Sequence, residues 1–198
     1  MVNLKGGTGK TTTSVFLATG LQRAGEPVLL VDADPQGSAL SWSAADGFPV
    51  VTVAMPQPVL HRQIPALARA YRHVVMDCPP ADEAIVRSAL LAADIVVMPM
   101  APSMLDLDRL RPTLALLAAV APQNEPPFYA LLTRVRARTR MSSAARTWLG
   151  ALEVPVLVAE VPLRETYTTA LGEVPPAGTE YEAVLAELRT SVGAEVSA

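Results

Sequence analysis

The residues with the clearest chemistry lie near the start of the chain, in the run K-G-G-T-G-K-T-T from Lys5 to Thr12. Glycines allow successive backbone N–H groups to curl around phosphate oxygens. A lysine then reaches the β- and γ-phosphates, and a following hydroxyl holds Mg²⁺, so Lys10 is the expected catalytic lysine and Thr11 the expected metal ligand. The run predicts a site for ATP and Mg²⁺. The residues expected to contact the nucleotide are Gly6, Gly7, Thr8, Gly9, Lys10, Thr11 and Thr12.

Two acidic motifs follow at the ends of apolar runs. Asp32 and Asp34 lie in V-D-A-D-P-Q-G, and Asp77 ends H-V-V-M-D. Because ligands bind at the carboxyl ends of strands in open α/β sheets, these carboxylates are expected near the phosphates. A hard cation such as Mg²⁺ prefers oxygen ligands and keeps several waters, so Asp77 is expected to contact it through water. The alternative is that Asp32 and Asp34 only cap a turn with Pro35 and Gly37.

These motifs need elements that hold them at one edge of a sheet. Near-continuous apolar runs, typical of buried parallel strands, predict strands at Pro27–Asp32, Val50–Ala54, His73–Asp77, Asp94–Pro99, Phe128–Thr133 and Val154–Ala159. Amphipathic segments predict helices at Thr11–Ala24, Val59–Tyr71, Ala84–Ala92, Leu105–Val120, Ser142–Leu152 and Tyr181–Val192. This alternation predicts an α/β fold: a doubly wound, mainly parallel sheet with helices on both faces, as in P-loop NTPases. No linker or repeat is visible, so a single domain is expected over 1–198.

Composition excludes several function classes. The chain has 198 residues, a net charge of −3 and one cysteine, Cys78. A globally basic nucleic-acid binder is not indicated, and any DNA contact would need a local basic patch. One cysteine rules out an intramolecular disulfide and a single-chain Cys₂ or Cys₄ metal site, and fits a reducing cytosol. No signal peptide or membrane span is visible, so the expected location is the cytoplasm.

The phosphate loop departs from the common G-x-x-x-x-G-K-[ST] pattern, because Leu4 stands at the first glycine position and Lys5 opens the loop. K-G-G-x-G-K-[ST] resembles the deviant Walker A motif of the ParA/MinD group of ATPases. D-x-D-P-Q-G resembles an element of ParA proteins, and the strand ending in Asp77 is similar to a Walker B motif. The resemblance covers nearly the whole chain and is closest to small ParF-type ParA proteins. It implies a slow, Mg²⁺-dependent, partner-stimulated ATPase.

The resemblance also implies roles for single residues. Lys5 would reach across an ATP-bound sandwich homodimer to the partner subunit's phosphates and act as a catalytic cation. Asp34 would position the attacking water, and Asp32 would lie near the metal without binding it directly. The residues at the places where the family's loops border the adenine are Thr133, Arg134, Val161, Pro162, Leu163 and Arg164, and Arg164 could serve DNA instead.

A basic segment follows the fifth predicted strand. It carries arginines at 134, 136, 138, 140 and 146, and no acid occurs from Pro126 to Leu152. Since ParA relatives bind DNA without sequence preference as ATP-bound dimers, the resemblance implies salt-dependent phosphate contacts here and nucleoid association with ATP. The residues expected to contact DNA are Arg136, Arg138, Arg140 and Arg146. The alternatives are a solvated loop and arginines that line the nucleotide pocket, for which Arg134 is the first candidate.

Three functions remain open. The first is DNA partition, in which a ParB- or ParG-type centromere-binding partner stimulates hydrolysis and release of the dimer from DNA. The second is positioning of a protein assembly by the same cycle, and the third is a metabolic P-loop enzyme. A nitrogenase-iron-protein role would need bridging cysteines that one cysteine does not supply. A membrane role is not expected, because the charged residues of the segment Tyr181–Ala198 are mainly glutamates, which anionic lipid would repel.

The resemblance also implies two features of the N-terminal region. No separate N-terminal DNA-binding domain is expected, as in the ParF-type relatives. Only Met1–Leu4 precede Lys5, whereas the first strand of this fold normally has five or six residues. Either that central strand is shortened or the given sequence starts late, and a shortened central strand is expected to lower the stability of the fold.

Overall fold

A computed structural model describes residues 1–108, 110–137 and 140–195. Its strands are β1 (Val28–Asp32), β2 (Val51–Ala54), β3 (His73–Asp77), β4 (Val96–Met100) and β5 (Phe128–Leu132). Its longer helices are α1 (Lys10–Arg23), α3 (Leu60–Leu67), α4 (Glu83–Ala92), α6 (Arg111–Val120), α7 (Met141–Ala151) and α9 (Glu180–Glu195). The short helices are α2 (Ser38–Trp42), α5 (Met104–Asp108) and α8 (Glu165–Thr168), and a 3₁₀ turn (Ala68–Ala70) follows α3.

The strands form two parallel sheets. One has the order β2-β1-β3, and the other pairs β4 with β5. Asp32 and Asp77 are register partners at the ends of β1 and β3, so their carboxylates lie at the same edge. This edge is where the sequence places the phosphate site.

Residues 1–4 lie between the two sheets. The N–H of Cys78 donates to the carbonyl of Met1 over 3.3 Å, and the N–H of Val2 donates to the carbonyl of Val97 over 3.1 Å. The amide of Asn3 donates to the carbonyl of Pro99 over 3.0 Å. This segment therefore joins β3 to β4 and places the phosphate loop, which follows directly, at the carboxyl edge of both sheets.

Apolar side chains cover both faces of the first sheet. In β1, Leu29 and Val31 pack in a cluster with residues of α3, α4, α6 and α7. Their neighbours Val28 and Leu30 pack in a second cluster with residues of α1, α2 and α9. Because successive side chains of a strand point to opposite faces, helices cover the sheet on both sides. The predicted doubly wound α/β fold is confirmed.

The structure differs from the predicted elements in three places. The predicted strand Val154–Ala159 contributes one isolated bridge, from Val156 to Ala130. The predicted helix Leu105–Val120 is two helices, α5 and α6, and Pro112 lies in the first turn of α6, where its missing N–H costs no hydrogen bond. The short helices α2 and α8 were not predicted, because single turns carry too little periodicity to be recognised.

The C-terminal helix α9 packs its apolar side chains into the protein. Val184, Leu185 and Leu188 are buried beside α1, where Gly20 leaves room for Leu185. A β-carbon at Gly20 would come within 2.6 Å of the Leu185 side chain, so this glycine permits the close approach of the two helices. In the part of the chain that the structure describes, no helix combines the length and apolarity needed to cross a membrane.

Candidate active site

The loop before α1 has the conformation that its glycines predict. Gly7 and Gly9 have φ angles of +73° and +90°, a region that side chains with a β-carbon rarely adopt. Gly9 is the N-cap of α1, so the unpaired N–H groups of the first helical turn face the loop. A cleft of about 510 Å³ opens above this loop. Its lining includes all of the predicted loop contacts, namely Gly6, Gly7, Thr8, Gly9, Lys10, Thr11 and Thr12.

Lys10 is a buried cation at the floor of this cleft. Its ammonium group donates to the carbonyl of Lys5 over 3.0 Å, which fixes the side chain across the loop. Burial lowers the pKa of Lys10, and the negative charge of Asp77 opposes that shift. A lysine that has already lost much of its hydration gains more from a polyanionic ligand than an exposed lysine does. The arrangement therefore suits a phosphate chain.

Asp77 lies below the loop and is almost completely buried. One carboxylate oxygen, Oδ1, accepts from the hydroxyl of Ser14 over 3.1 Å, while Oδ2 has no hydrogen-bond partner within the described ranges. Burial raises the pKa of Asp77 to about 6. Sequence reasoning did not identify Ser14, which is one helical turn beyond the loop and gave no signal of its own.

The unpaired Oδ2 of Asp77 indicates whether a divalent cation fits at this position. A buried carboxylate oxygen without a partner costs free energy unless a cation or a bound water compensates it. Asp77 and Thr11 supply the oxygen ligands that Mg²⁺ prefers, and the Oγ1 of Thr8 is also buried with no hydrogen-bond partner among the residues that the structure describes. The residues present therefore fit Mg²⁺, which when bound would neutralise phosphate charge. Thr11 and Asp77 are the residues that would hold it.

Asp32 supports the turn that carries Asp34. Its side chain is fully buried, and burial raises its pKa. Oδ1 accepts from the N–H of Asp34 over 3.1 Å, and Oδ2 accepts from the N–H of Leu40 in α2 over 2.8 Å. Both oxygens are thus engaged within the chain, and Asp34 is the carboxylate that lines the cleft. The structure places Asp32 behind Asp34.

Thr133 and Arg134 hold the loop from the side of β5. The hydroxyl of Thr133 donates to the carbonyl of Thr8 over 2.9 Å, and the guanidinium of Arg134 donates to the carbonyl of Gly7 over 2.9 Å. Both were predicted to border the adenine, and both do line the cleft. Their hydrogen bonds nevertheless give them a second role, since they fix the backbone of the phosphate loop.

The wall opposite the loop is formed by the segment after Glu160. The N–H of Val161 donates to the carbonyl of Leu132 over 2.9 Å, and the N–H of Leu163 donates to the carbonyl of Val135 over 2.8 Å. These bonds hold the predicted residues Val161, Pro162 and Leu163 beside the cleft. Arg164, which was predicted together with them, lines this wall as well. Sequence reasoning missed the further lining residues, which are Tyr167, Thr168 and Tyr181.

Lys5 forms an ion pair within its own chain. Its ammonium group contacts a carboxylate oxygen of Asp106 in α5, and the other oxygen of Asp106 accepts from the hydroxyl of Ser103. Asp106 is buried, and the side chain of Lys5 is 26% exposed. Sequence reasoning did not identify Asp106. Its only signal was an acid between two leucines soon after the predicted strand Asp94–Pro99.

The arginines that are predicted to contact DNA do not share one environment in the structure. Arg136 and Arg140 are exposed on the connection between β5 and α7, and Arg138 lies outside the described residues. Arg146 does not fit the prediction, because its guanidinium is 2.9 Å from the carboxylate of Glu160 and also donates to the carbonyl of Val158. The absence of acids from Pro126 to Leu152 suggested that the charge of Arg146 is unopposed. Glu160, which neutralises it, lies beyond that stretch.

The family model of the CobQ/CobB/MinD/ParA nucleotide binding domain matches residues 1–174. Maintenance of carboxysome distribution protein A (McdA) from Halothiobacillus neapolitanus is 35% identical over 87% of this chain and 82% of its own length. The chromosome-partitioning ATPase Soj from Thermus thermophilus is 35% identical, but the match covers 50% of this chain and 53% of Soj.

A solved structure supports the fold. Cobyrinic acid a,c-diamide synthase from Mycobacterium smegmatis, with bound ADP and magnesium, has a TM-score of 0.75 and 22% identity over 96% of this chain and 94% of that one. The family match spans the phosphate loop, Asp32, Asp34, Asp77 and every residue lining the cleft except Tyr181. The chain therefore belongs to the CobQ/CobB/MinD/ParA nucleotide-binding domain family, as an ATPase of the ParA/MinD type that uses ATP and Mg²⁺.

Proposed function

We propose that this chain is an ATP-driven positioning protein that distributes a protein assembly, such as a carboxysome-like compartment, over DNA. The observation that carries the proposal is the 35% identity to a protein named for maintaining carboxysome distribution, over 87% of this chain and 82% of that protein. That match runs through most of both chains, whereas the match to Soj covers about half of each. The cargo of the McdA relative is therefore the first to test.

DNA partition is the second candidate. It is supported by the 35% identity to the chromosome-partitioning ATPase Soj and by the arginine segment after β5. In this function a ParB- or ParG-type protein on a plasmid or chromosome would stimulate hydrolysis. A deletion strain distinguishes the two candidates: clustered protein compartments favour positioning, and loss of a plasmid or of chromosome inheritance favours partition. The likeness to cobyrinic acid a,c-diamide synthase is a likeness of fold and supports no substrate.

The proposed cycle begins when ATP brings two copies together as a sandwich dimer. In the dimer, Lys5 of each chain would contact the phosphates held by the other chain, where a cation offsets negative charge in the transition state. Lys5 is paired with Asp106 of its own chain, so it must leave that carboxylate to act in this way. The ion pair therefore competes with dimer formation.

We expect Asp106→Asn to strengthen the ATP-dependent dimer by roughly 3- to 10-fold in Kd, the scale of an ion pair worth about 1 kcal/mol. The substitution keeps the shape of the side chain and removes the charge that holds Lys5. Sedimentation velocity with ATP and Mg²⁺, in an Asp34→Ala background to slow hydrolysis, measures this Kd. Lys5→Ala in the same background should lose the dimer.

A matched control lies on the same helix. Asp108 is 81% exposed and pairs only loosely with Arg111, at 3.7 Å, so Asp108→Asn should leave the dimer Kd unchanged. A weaker dimer in Asp106→Asn than in the parent chain would contradict the competition, because it would show that Asp106 supports the dimer.

DNA binding is the second step of the cycle, and the arginine segment is the proposed contact. Replacing Arg136, Arg138 and Arg140 by glutamate should lower ATP-dependent DNA affinity at least 100-fold, because three phosphate contacts become repulsive. Fluorescence anisotropy with duplex DNA, at two salt concentrations and with no nucleotide, ADP or ATP plus Mg²⁺, measures this. The parent chain should bind only with ATP, and more weakly at high salt.

The control for this triple variant must change the net charge of the chain by the same amount. Arg62, Arg69 and Arg87 are exposed and lie on or next to α3 and α4, so replacing all three by glutamate alters the charge by the same amount at another surface. This control should retain most of the DNA affinity. Equal losses in the two variants would mean that overall charge, rather than the arginine segment, governs binding. DNA binding that ignores ATP would contradict the proposed cycle.

A further inference from the structure

The connection between α8 and α9, residues 169–179, joins two elements that line the nucleotide cleft. This connection is called the strap below. α8, which precedes it, contributes Tyr167 and Thr168 to the cleft lining, and α9, which follows it, contributes Tyr181. Most residues from 171 to 178 are exposed, so apolar burial does little to fix the path of the strap. Its position therefore depends on the hydrogen bonds that it makes to other elements.

Trp42 of α2 provides the first of these bonds. Its indole N–H donates to the carbonyl of Glu173 over 2.7 Å, and the residue is only 3% exposed. A buried indole N–H needs an acceptor, because no bulk water replaces a lost partner. Trp42 also packs edge-on against Phe16 of α1, with the ring centroids 6.2 Å apart. Phe16 in turn contacts the ring of Tyr167 at 5.3 Å, so Trp42 reaches the cleft wall by two routes.

Arg23, at the end of α1, provides a second bond to the strap. Its guanidinium donates to the carbonyl of Pro175. The far end of the strap meets Glu180, which pairs with Arg164 over 2.7 Å and accepts from the hydroxyl of Tyr167. α8 is therefore tied to the start of α9, while the middle of the strap is tied to α1 and α2.

α2 also connects Trp42 to the turn that carries Asp34. The N–H of Leu40 in α2 donates to one carboxylate oxygen of Asp32 over 2.8 Å, and the N–H of Asp34 donates to the other over 3.1 Å. Since α2 has only five residues, Leu40 and Trp42 lie within one short rigid unit. The same buried carboxylate thus fixes both the turn that carries Asp34 and the helix that carries Trp42.

We propose that Trp42 is a positioning residue for the bound nucleotide, which acts through the strap to keep Tyr167 and Thr168 at the cleft. Without its N–H bond the strap and α8 move outward more often, and the nucleotide leaves faster. Trp42 is not among the described residues that line the cleft, so the effect falls on how long the nucleotide stays and not on the chemical step. The proposal rests on the ATP site and does not depend on the DNA or cargo hypotheses.

Trp42→Phe tests this role, because phenylalanine keeps a ring beside Phe16 but has no N–H to donate. The dissociation rate of N-methylanthraniloyl-ADP, chased with unlabelled ADP and Mg²⁺ in a stopped-flow instrument, should rise roughly 3- to 10-fold, the range for loss of one buried hydrogen bond. Single-turnover hydrolysis at saturating enzyme should stay within about 2-fold of the parent rate. Hydrogen exchange at the amide of Thr169, which donates to the carbonyl of Glu165 across α8, should become faster.

Two further variants separate this role from a general loss of packing. Trp148→Phe makes the same chemical change on α7, where the indole packs against the first apolar cluster, and its dissociation rate should match that of the parent chain. Arg23→Met, at an exposed position, removes the second bond to the strap without a change in the core. It should raise the dissociation rate as well.

The measurements decide between positioning and packing. Parent-like dissociation in Trp42→Phe would overturn the proposal, and so would an equal rise in Trp148→Phe, because it would assign the effect to loosened packing. Slower single-turnover hydrolysis without faster dissociation would also overturn it, since Trp42 would then act on the chemical step. If Trp42→Phe melts well below the parent chain, Arg23→Met decides the outcome, and a parent-like rate in that variant would refute the role of the strap.

Discussion

Lys10→Ala is expected to abolish detectable ATP binding and to lower ATP hydrolysis by at least about 100-fold, the loss typical when one preorganised donor to a developing charge is removed. Lys10 is buried, fixed by its hydrogen bond to the Lys5 carbonyl, and lines the cleft above the loop. Binding of a fluorescent ATP analogue and release of phosphate measure the two effects separately.

Lys10→Met is the matched variant, because methionine fills most of the space of the lysine stem without its charge. If both variants melt at the parent temperature and neither binds ATP, the loss belongs to the ammonium group. Parent-like ATP affinity in Lys10→Met would contradict the role given to this residue. The interpretation is simple because Lys5 and Lys10 are the only lysines in the sequence, so no third lysine can replace the lost ammonium group.

The phosphate site could be predicted from sequence because its determinants are local. Gly7 and Gly9 must adopt positive φ angles, and the helix that starts at Lys10 must follow at once, so spacing alone constrains the geometry. Asp32 and Asp77 were predictable for a related reason. Each ends a buried strand, and parallel strands bring their carboxyl ends to one edge.

Pairings between distant segments could not be predicted in the same way. Lys5 and Asp106 are 101 positions apart, and nothing in either segment specifies the other. Arg146 seemed part of a basic surface until the fold brought Glu160 against it. Helix α2 depends on Asp32, whose carboxylate accepts from the N–H of Leu40, so a five-residue helix is stabilised by a contact outside its own sequence.

Asp34→Ala is expected to keep ATP binding and to lower hydrolysis by about 100-fold or more, the scale of general base or water-positioning contributions. Asp34 lines the cleft on a turn that the buried carboxylate of Asp32 fixes from behind. The hydrogen bond that the Asp34 carboxylate accepts within the described residues comes from Gln36, outside the phosphate loop, so ATP should still bind through the backbone and Lys10. In the proposed cycle the variant would remain an ATP-bound dimer on DNA.

Two further variants separate charge from turn geometry. Asp34 accepts a hydrogen bond from the N–H of Gln36 over 2.9 Å, and Asp34→Asn can retain that bond while it loses the negative charge. Hydrolysis that falls equally in the Asn and Ala variants assigns the effect to the charge. Asp46→Ala, at an exposed turn outside the cleft, should hydrolyse ATP at the parent rate. Parent-like turnover in Asp34→Ala would mean that another group positions the water, and the remaining carboxylate of the motif, Asp32, is already bound on both oxygens.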